Sequence, residues 1–369
     1  MKKAEKIKEL IAEMIQSFNK RGLNRLPTER SLSVKFGVSR DTVVKALTSL
    51  EMDGYVERRQ GSGTYIVDSS AHKDITIGLV FEIPFHKAQA QSDLIYRGLS
   101  FWAETLGVKL QAFESVREEL KQPIDTIPVM KATTAGLLDG ILVCTRLSAG
   151  IAAALSAKLP LIMLGHDLSQ GRVTSVVSDH FRTGFIGACH FLSSGHRRIA
   201  YISDYLKHPV AYAHLSGARC AMELENLTIS DDDCLETLVN AETFIKNVES
   251  FFAKGNHTAA LVRHDVTASQ LIRTLKKIGK RVPEDISVIG VGNYNSGFNS
   301  ELELTSIDSG YSQMCEIALK NIVAKVKRIR GENVELPFGN SQLHTVEPKL
   351  VPGETVRNLC ETTTEKCCS

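Results

Sequence analysis

The chain has 369 residues, of which 43% are hydrophobic and 23% charged, and its formal net charge is +2. That length suits two domains or more, and the composition is that of a folded protein rather than a disordered one. No run of about 18 apolar residues occurs, and residues 1–9 are charged where a signal peptide would be apolar, so a cytoplasmic protein without a membrane span is expected.

The charge is unevenly spread. Residues 1–68 hold thirteen Lys and Arg against nine Asp and Glu, an excess of four, which leaves the remainder slightly acidic. A basic head on a near-neutral body suits a polyanionic partner. The eight cysteines, Cys144, Cys189, Cys220, Cys234, Cys315, Cys360, Cys367 and Cys368, show no Cys-x-x-Cys pair. No zinc, disulfide or cofactor is expected from them, and most should be small core residues.

In chain order, Ile7, Leu10, Ile11, Met14, Ile15 and Phe18 recur at helical spacing and predict an amphipathic helix. Beyond Gly22, Pro27-Thr28 opens a second helix, with Thr28 as N-cap and Leu32, Val34 and Phe36 as core candidates. Gly37-Val38 makes a turn. Ser39 then caps a third helix, with Val43, Leu47 and Leu50 inside and Gly54 at its end. Residues 55–58 and 64–67 read as short strands around Gln60-Gly61-Ser62-Gly63. Two short helices across a tight turn followed by a hairpin describe a winged helix-turn-helix. Arg40, Asp41, Thr42, Lys45 and Thr48 point outward from the third helix. Arg40 and Lys45 reach phosphates or guanine edges, and Thr42 reaches a phosphate or a thymine methyl.

Leu26-Pro27-Thr28-Glu29-Arg30, Gly37-Val38-Ser39-Arg40-Asp41-Thr42-Val43 and Arg59-Gln60-Gly61-Ser62-Gly63-Thr64-Tyr65 stand in order and together resemble the DNA-binding domain of the GntR family. The resemblance spans residues 6–67. It implies that Arg30, Ser39, Arg40, Thr42, Lys45, Gln60 and Gly61 contact double-stranded DNA. The same motif can instead serve protein contacts, with Arg30 and Lys45 merely solvated.

Residues 69–74 form a polar connector that reads as flexible, without a hinge helix. Beyond it, apolar strands at 75–83, 140–144, 161–165, 199–203, 259–262 and 287–291 alternate with helical stretches such as 94–106, which ends at Gly107. This alternation predicts parallel sheets, and its length predicts two lobes. Leu138-Asp139-Gly140-Ile141, Ser194-Gly195-His196-Arg197-Arg198-Ile199, Val282-Pro283-Glu284-Asp285 and Leu304-Thr305-Ser306-Ile307 resemble the effector domain of the LacI family, over about 75–352. The resemblance implies an α/β body like the periplasmic sugar-binding proteins, with a ligand cleft between two lobes. The expected organisation is a winged helix at 1–68, a linker at 69–74, an effector and dimerisation domain at 75–356, and a tail at 357–369. Gly195 to Arg198 and Pro283 to Asp285 read as turns, and Phe101 and Trp102 as core or dimer contacts.

Ligands of open α/β sheets sit at the carboxyl ends of the strands. That rule selects Phe85, Gln91, Arg146, His166, Asp179, His214, Asp265 and Asn293 as effector contacts, with His86, Ser92, Asp167 and Tyr294 beside them. Asp179 and Asp265 fall where the family has cleft aspartates, and each could equally cap a helix. Two positions depart from the family. Its arginine three residues before a glycine that opens a helix is here His214, before Gly217. Its Gly-x-Asp-Asp is here Gly290-Val291-Gly292-Asn293. Loss of both charged clamps argues against a strongly ionic ligand held in the usual way. The expected protein is a homodimeric repressor of the kind that pairs a GntR head with a LacI body, as in regulators of arabinose use, released from its operator by a sugar-like effector. Competing readings are a body whose cleft is empty and serves dimerisation, and a fused enzyme. No Gly-x-Ser-x-Gly, His-Glu-x-x-His or phosphate loop favours the enzyme.

Overall fold

Three helices and a hairpin occupy the amino-terminal end of the computed structural model, which describes residues 3–20, 23–52, 55–59, 61–66, 74–81, 90–114, 123–145, 147, 149–165, 173–237, 241–294 and 302–360. Helix α1 is Lys3–Lys20, α2 is Glu29–Phe36 and α3 is Arg40–Met52; strands β1, Val56–Arg59, and β2, Gly63–Ile66, form the antiparallel wing. The Thr28 side chain accepts from Ser31 N–H and starts α2; Gly37, at φ +62°, ends it in a left-handed turn that favours glycine. Ser39 Oγ accepts from Thr42 N–H at 3.3 Å and starts α3. Ile11, Leu32, Val43, Leu47 and Leu50 are fully buried between these elements. Truncating Leu32 to alanine would remove about 2–5 kcal/mol. Val34, expected inside, is 78% exposed, because Leu32 and Phe36 already fill the one inward face of this eight-residue helix. Gly54 lies outside the described residues.

The chain divides into two compact units. The first comprises Met1–Lys87, Leu99–Val176 and Cys315–His344; the second comprises Ala88–Gly98, Val177–Met314 and Thr345–Ser369. Besides the head, the first holds a sheet in the order β13-β7-β6-β5-β3-β4, from β3 (Thr76–Phe81), β4 (Lys109–Glu114), β5 (Gly140–Val143), β6 (Leu161–Leu164), β7 (Thr174–Ser178) and β13 (Leu343–Val346). Strands β3 to β7 run parallel. Helices α4 (Ala90–Leu106), α5 (Pro128–Thr134), α6 (Ala149–Ser156) and α11 (Tyr311–Ile329) belong to the connections of this sheet and to its last return. The head touches this unit directly: α1 lies against α5, and the Tyr55 hydroxyl donates to the Gly136 carbonyl.

The second unit repeats the plan in the order β14-β12-β11-β10-β8-β9. Its strands are β8 (Ile199–Ser203), β9 (Cys234–Glu236), β10 (Ala259–Val262), β11 (Ser287–Val291), β12 (Thr305–Asp308) and β14 (Lys349–Val351). All pair in parallel except β14, which is antiparallel to β12. Helices α7 (His180–Ser193), α8 (Pro209–Glu223), α9 (Ala241–Lys254) and α10 (Asp265–Lys277) complete it. Strand order reverses between β8 and β10, and this switch point is where open sheets of this type bind ligands. The fold is thus the expected α/β body behind a winged helix.

The signature turns are scaffold, as expected. His196 is buried, with Nδ1 at 2.9 Å from Thr258 Oγ1 and Nε2 at 3.1 Å from the Arg357 carbonyl. Gly217 does not open a helix; it sits in the body of α8, where that helix crosses α7. The cysteines are less buried than expected: among the described residues Cys315 is fully buried, Cys144, Cys189, Cys220 and Cys234 are half-buried and Cys360 is exposed. Phe101 is exposed and Trp102 half-buried, with the Lys320 ammonium 4.2 Å above its ring.

Candidate functional site

The first site is built on Glu29, the opening residue of α2. Its carboxylate is largely covered and holds Arg40 Nε at 2.9 Å and the Arg58 guanidinium. Arg58 also donates to Thr48 Oγ1 at 3.2 Å, so one acid ties the recognition helix and the wing to α2. Burial raises the Glu29 carboxyl pKa, but its bonds to Arg40 and Arg58 outweigh that and bring it below the ordinary value. Around this knot lies a concavity of about 530 Å³ lined by Arg30, Arg40, Arg58, Arg59, Gly61 and Glu29, four guanidinium groups to one carboxylate. Arg59 is braced by Glu57 at 2.9 Å and by the Tyr65 ring, whose centroid is 4.7 Å away.

Residues from all three head motifs therefore meet here: Arg30, Arg40 and Gly61. Ser39 and Thr42 stand at the start of α3 with their hydroxyls 2.8 Å apart. Lys45 is exposed on the same helix. Gln60 lies outside the described residues. Sequence reasoning passed over Glu29, Arg58 and Arg59, although Glu29 and Arg59 stand inside the quoted motifs. What no motif shows is that α2 and β1, 29 residues apart, share an ion pair.

The second site lies at the carboxyl ends of the second unit's strands. Asp204 follows β8, Arg263 follows β10, and the two form an ion pair across the switch point. Arg263 is buried, and its Nε has no hydrogen-bond partner among the described residues. On α8, His214 is 2% exposed with neither ring nitrogen bonded among the described residues; its ring stands 5.4 Å from that of His180. Burial, then His180 and Arg263, drives the His214 pKa well below the usual histidine value. His264, beside Arg263, is lowered to about 4, mainly by burial. Its Nδ1 lies 3.3 Å from the Tyr294 hydroxyl.

The two candidate aspartates have internal partners. Asp179 caps α7 by accepting from Arg182 N–H at 2.8 Å. Asp265 accepts from Tyr294 N–H at 2.9 Å and from Ser306 Oγ at 2.7 Å, both oxygens being used inside the unit. Its carboxyl pKa is raised by burial, against the opposing pull of these bonds. Asp265→Ala would thus unmake a strut joining α10, the end of β11 and β12, and would reach stability before any ligand. Asn293, at φ 52°, is half-buried, with its N–H on Ser306 Oγ at 3.1 Å. Phe85, Arg146 and His166 lie outside the described residues. Gln91 falls in α4, and its side chain is outside them too. Arg263 and Asp204 change the expectation drawn from the missing clamps: charge is present at this edge, supplied from other positions. Arg263 directly follows a buried strand, and that was the signal available.

Comparison with known proteins finds relatives of both parts of the chain. Residues 3–66 match the bacterial regulatory proteins of the gntR family, and residues 188–356 match the periplasmic binding protein-like domain. The arabinose metabolism transcriptional repressor of Geobacillus stearothermophilus is 23% identical over 87% of this chain and 90% of its own. The HTH-type transcriptional repressor PurR of Photobacterium profundum is 24% identical over 60% of this chain. The match spans about 65% of the length of that repressor. Among solved structures, regulator CcpA of Lactococcus lactis superposes with a TM-score of 0.63 at 19% identity, over 77% of this chain and 100% of that one. A LacI family regulator of Enterococcus faecium with bound ribose gives 0.63 at 20%, over 77% and 99%. The fold and these matches are those of DNA-binding transcription regulators that carry a small-molecule effector domain. More particularly, residues 3–66 resemble the gntR-family regulatory proteins and the body has the fold seen in LacI family regulators. Among the described residues, no helix is long and apolar enough to cross a membrane.

Proposed function

We propose that the protein is a cytoplasmic, non-enzymatic repressor, organised as a head at 1–68 and an effector domain at 75–356, that binds a near-palindromic operator as a homodimer and leaves it when a small polar effector binds. The observation that carries the DNA-binding half is the four-arginine concavity, where Arg30, Arg40 and Gly61 converge. Arg40, held by Glu29, reads a base edge. Arg30 and Lys45, exposed and without an ion-pair partner among the described residues, serve phosphates, and Ser39, Thr42 and Gln60 complete the contact. DNA enriched from a random pool supplies the probe. Arg40→Ala is expected to cost about 1–3 kcal/mol on that sequence and relax one base preference; Lys45→Ala should weaken all sequences alike and lower the salt slope by about 1. Wild-type affinity and selectivity in both variants would sink this reading.

For the effector half, Arg263 Nε and the two His214 nitrogens are buried polar atoms without partners among the described residues, which is costly unless a ligand satisfies them. With Asn293 they suit a hydroxylated ligand bearing good acceptors. A thermal-shift panel of monosaccharides, sugar alcohols and uronic acids tests this. A true effector at 100 times its dissociation constant adds about 2.7 kcal/mol, and Arg263→Gln is expected to abolish the shift while operator binding persists. A shift that survives Arg263→Gln would move the effector elsewhere. No shift with any compound would favour the ligand-free, dimerising body.

A further inference from the structure

A separate cavity of about 500 Å³ opens in the first unit, at the amino ends of strands β6 and β7. This is the end of the sheet opposite to the one that carries effectors in folds of this type. Lys158, Lys325 and Arg328 line it, and among the described residues no carboxylate does. Among the described residues each cation has only neutral partners. Lys158 Nζ donates to Thr134 Oγ1 at 3.0 Å, Lys325 Nζ to Thr174 Oγ1 at 2.6 Å, and Arg328 Nε to the Val334 carbonyl at 2.6 Å. Among the described residues none of the three has an ion-pair partner.

Like charges gathered in one concavity repel each other, and Lys325 is half-buried, where water screens it less. Burial lowers the Lys325 pKa and, with Lys325 itself, that of His344 nearby, so the local surroundings oppose more positive charge. Such a group stays charged at lower cost when an anion joins it. The guanidinium of Arg328 keeps its outer nitrogens available for a planar or tetrahedral oxyanion. The wall also contains the Asn340 amide and the exposed Ile329, which gives room for an organic portion. We propose that this cavity is a second ligand site, taking a small metabolite that bears a phosphate or carboxylate group.

Calorimetry on the full chain would use inorganic phosphate in one arm and citrate in the other, each against sodium chloride at equal ionic strength. Saturable binding is expected in at least one arm, and the arm that binds names the oxyanion. Lys325→Gln and Arg328→Gln should each weaken it by about tenfold or more. Arg328 is exposed, so its substitution leaves the fold intact, and unchanged operator affinity in both variants confirms folded protein. Arg263→Gln and Arg30→Ala separate this site from the two already described and should leave the oxyanion affinity unchanged. The proposal is overturned if neither probe binds beyond chloride, if binding survives both Lys325→Gln and Arg328→Gln, or if Arg263→Gln or Arg30→Ala removes it.

Discussion

A single methyl group added at Gly217 or Gly184 is expected to lower the stability of the second unit by about 3 kcal/mol or more. Helices α7 and α8 cross with their backbones nearly touching. A Cβ at Gly217 would stand 1.8 Å from the Phe181 carbonyl oxygen, and one at Gly184 1.7 Å from that of His214. Both obstacles are backbone, so no side chain can turn aside and the helices themselves must part. Overpacking a core usually costs about 1–3 kcal/mol; separating two helices over a shared core that includes Ala188, Phe191, Ala211 and Ala218 lies at or above that range. Against a typical total of about 5–15 kcal/mol, this is a large fraction. Gly150→Ala in α6 is the control, since its Cβ would meet nothing within 4 Å, and a gain of a few tenths to about 1 kcal/mol follows from helix propensity. Denaturant midpoints decide the matter: a Gly217→Ala protein as stable as wild type would mean the helices do not cross this closely.

Acidification from pH 7 towards 4 is expected to destabilise the same unit, chiefly through His214 and His264. Both have folded-state pKa values below the unfolded value of about 6.5. Below that pH the unfolded chain takes up protons that the folded one refuses, so stability present above 6.5 is lost as pH falls. For His264 the window runs from about 6.5 down to about 4. At about 1.4 kcal/mol per unit, that is on the order of 3 kcal/mol. His214, also held well below the usual histidine value by burial, adds to the loss below 6.5. Asp265 works in the opposite sense: its raised pKa makes its contribution greatest at low pH and diminishes it as pH rises through the folded value. Being opposite in sign, it cannot produce a loss on acidification, which therefore belongs to the histidines. A His214→Phe variant should show a shallower fall in unfolding free energy between pH 7 and 5. Parallel curves for variant and wild type would contradict a neutral, buried His214 ring.

The parts of the fold that were legible in the sequence are those set by local chemistry or continuous burial. Thr28, Gly37 and Ser39 each act within a few residues of themselves, so the head's helices could be placed from them. The buried strands 140–143, 161–164, 199–203, 259–262 and 287–291 are apolar enough to stand out. Strand β7, Thr-Ser-Val-Val-Ser, escaped because three of its five residues are hydroxylated, and the flanking strands β4, β9, β13 and β14 because edge positions lack the continuous apolar run. The sites divide the same way. Arg30 and Arg40 could be named from motifs, whereas the knot at Glu29 and the pair of Asp204 with Arg263, 59 residues apart, exist only after folding. Asp179 and Asp265 had two readings in sequence, and hydrogen bonds that only the folded chain makes engage both inside the unit.

The bond from Tyr55 to Gly136, together with the meeting of α1 and α5, gives the head a second attachment besides the chain that leads out of it. A head suspended at one point would sample many orientations and surrender that entropy each time it settled on DNA. One anchored at two points has already given up much of that freedom, so less is lost on arrival and more of the contact energy appears as affinity. The same anchorage makes the head's aim depend on the turn at Gly136, which leads directly into strand β5 of the first sheet.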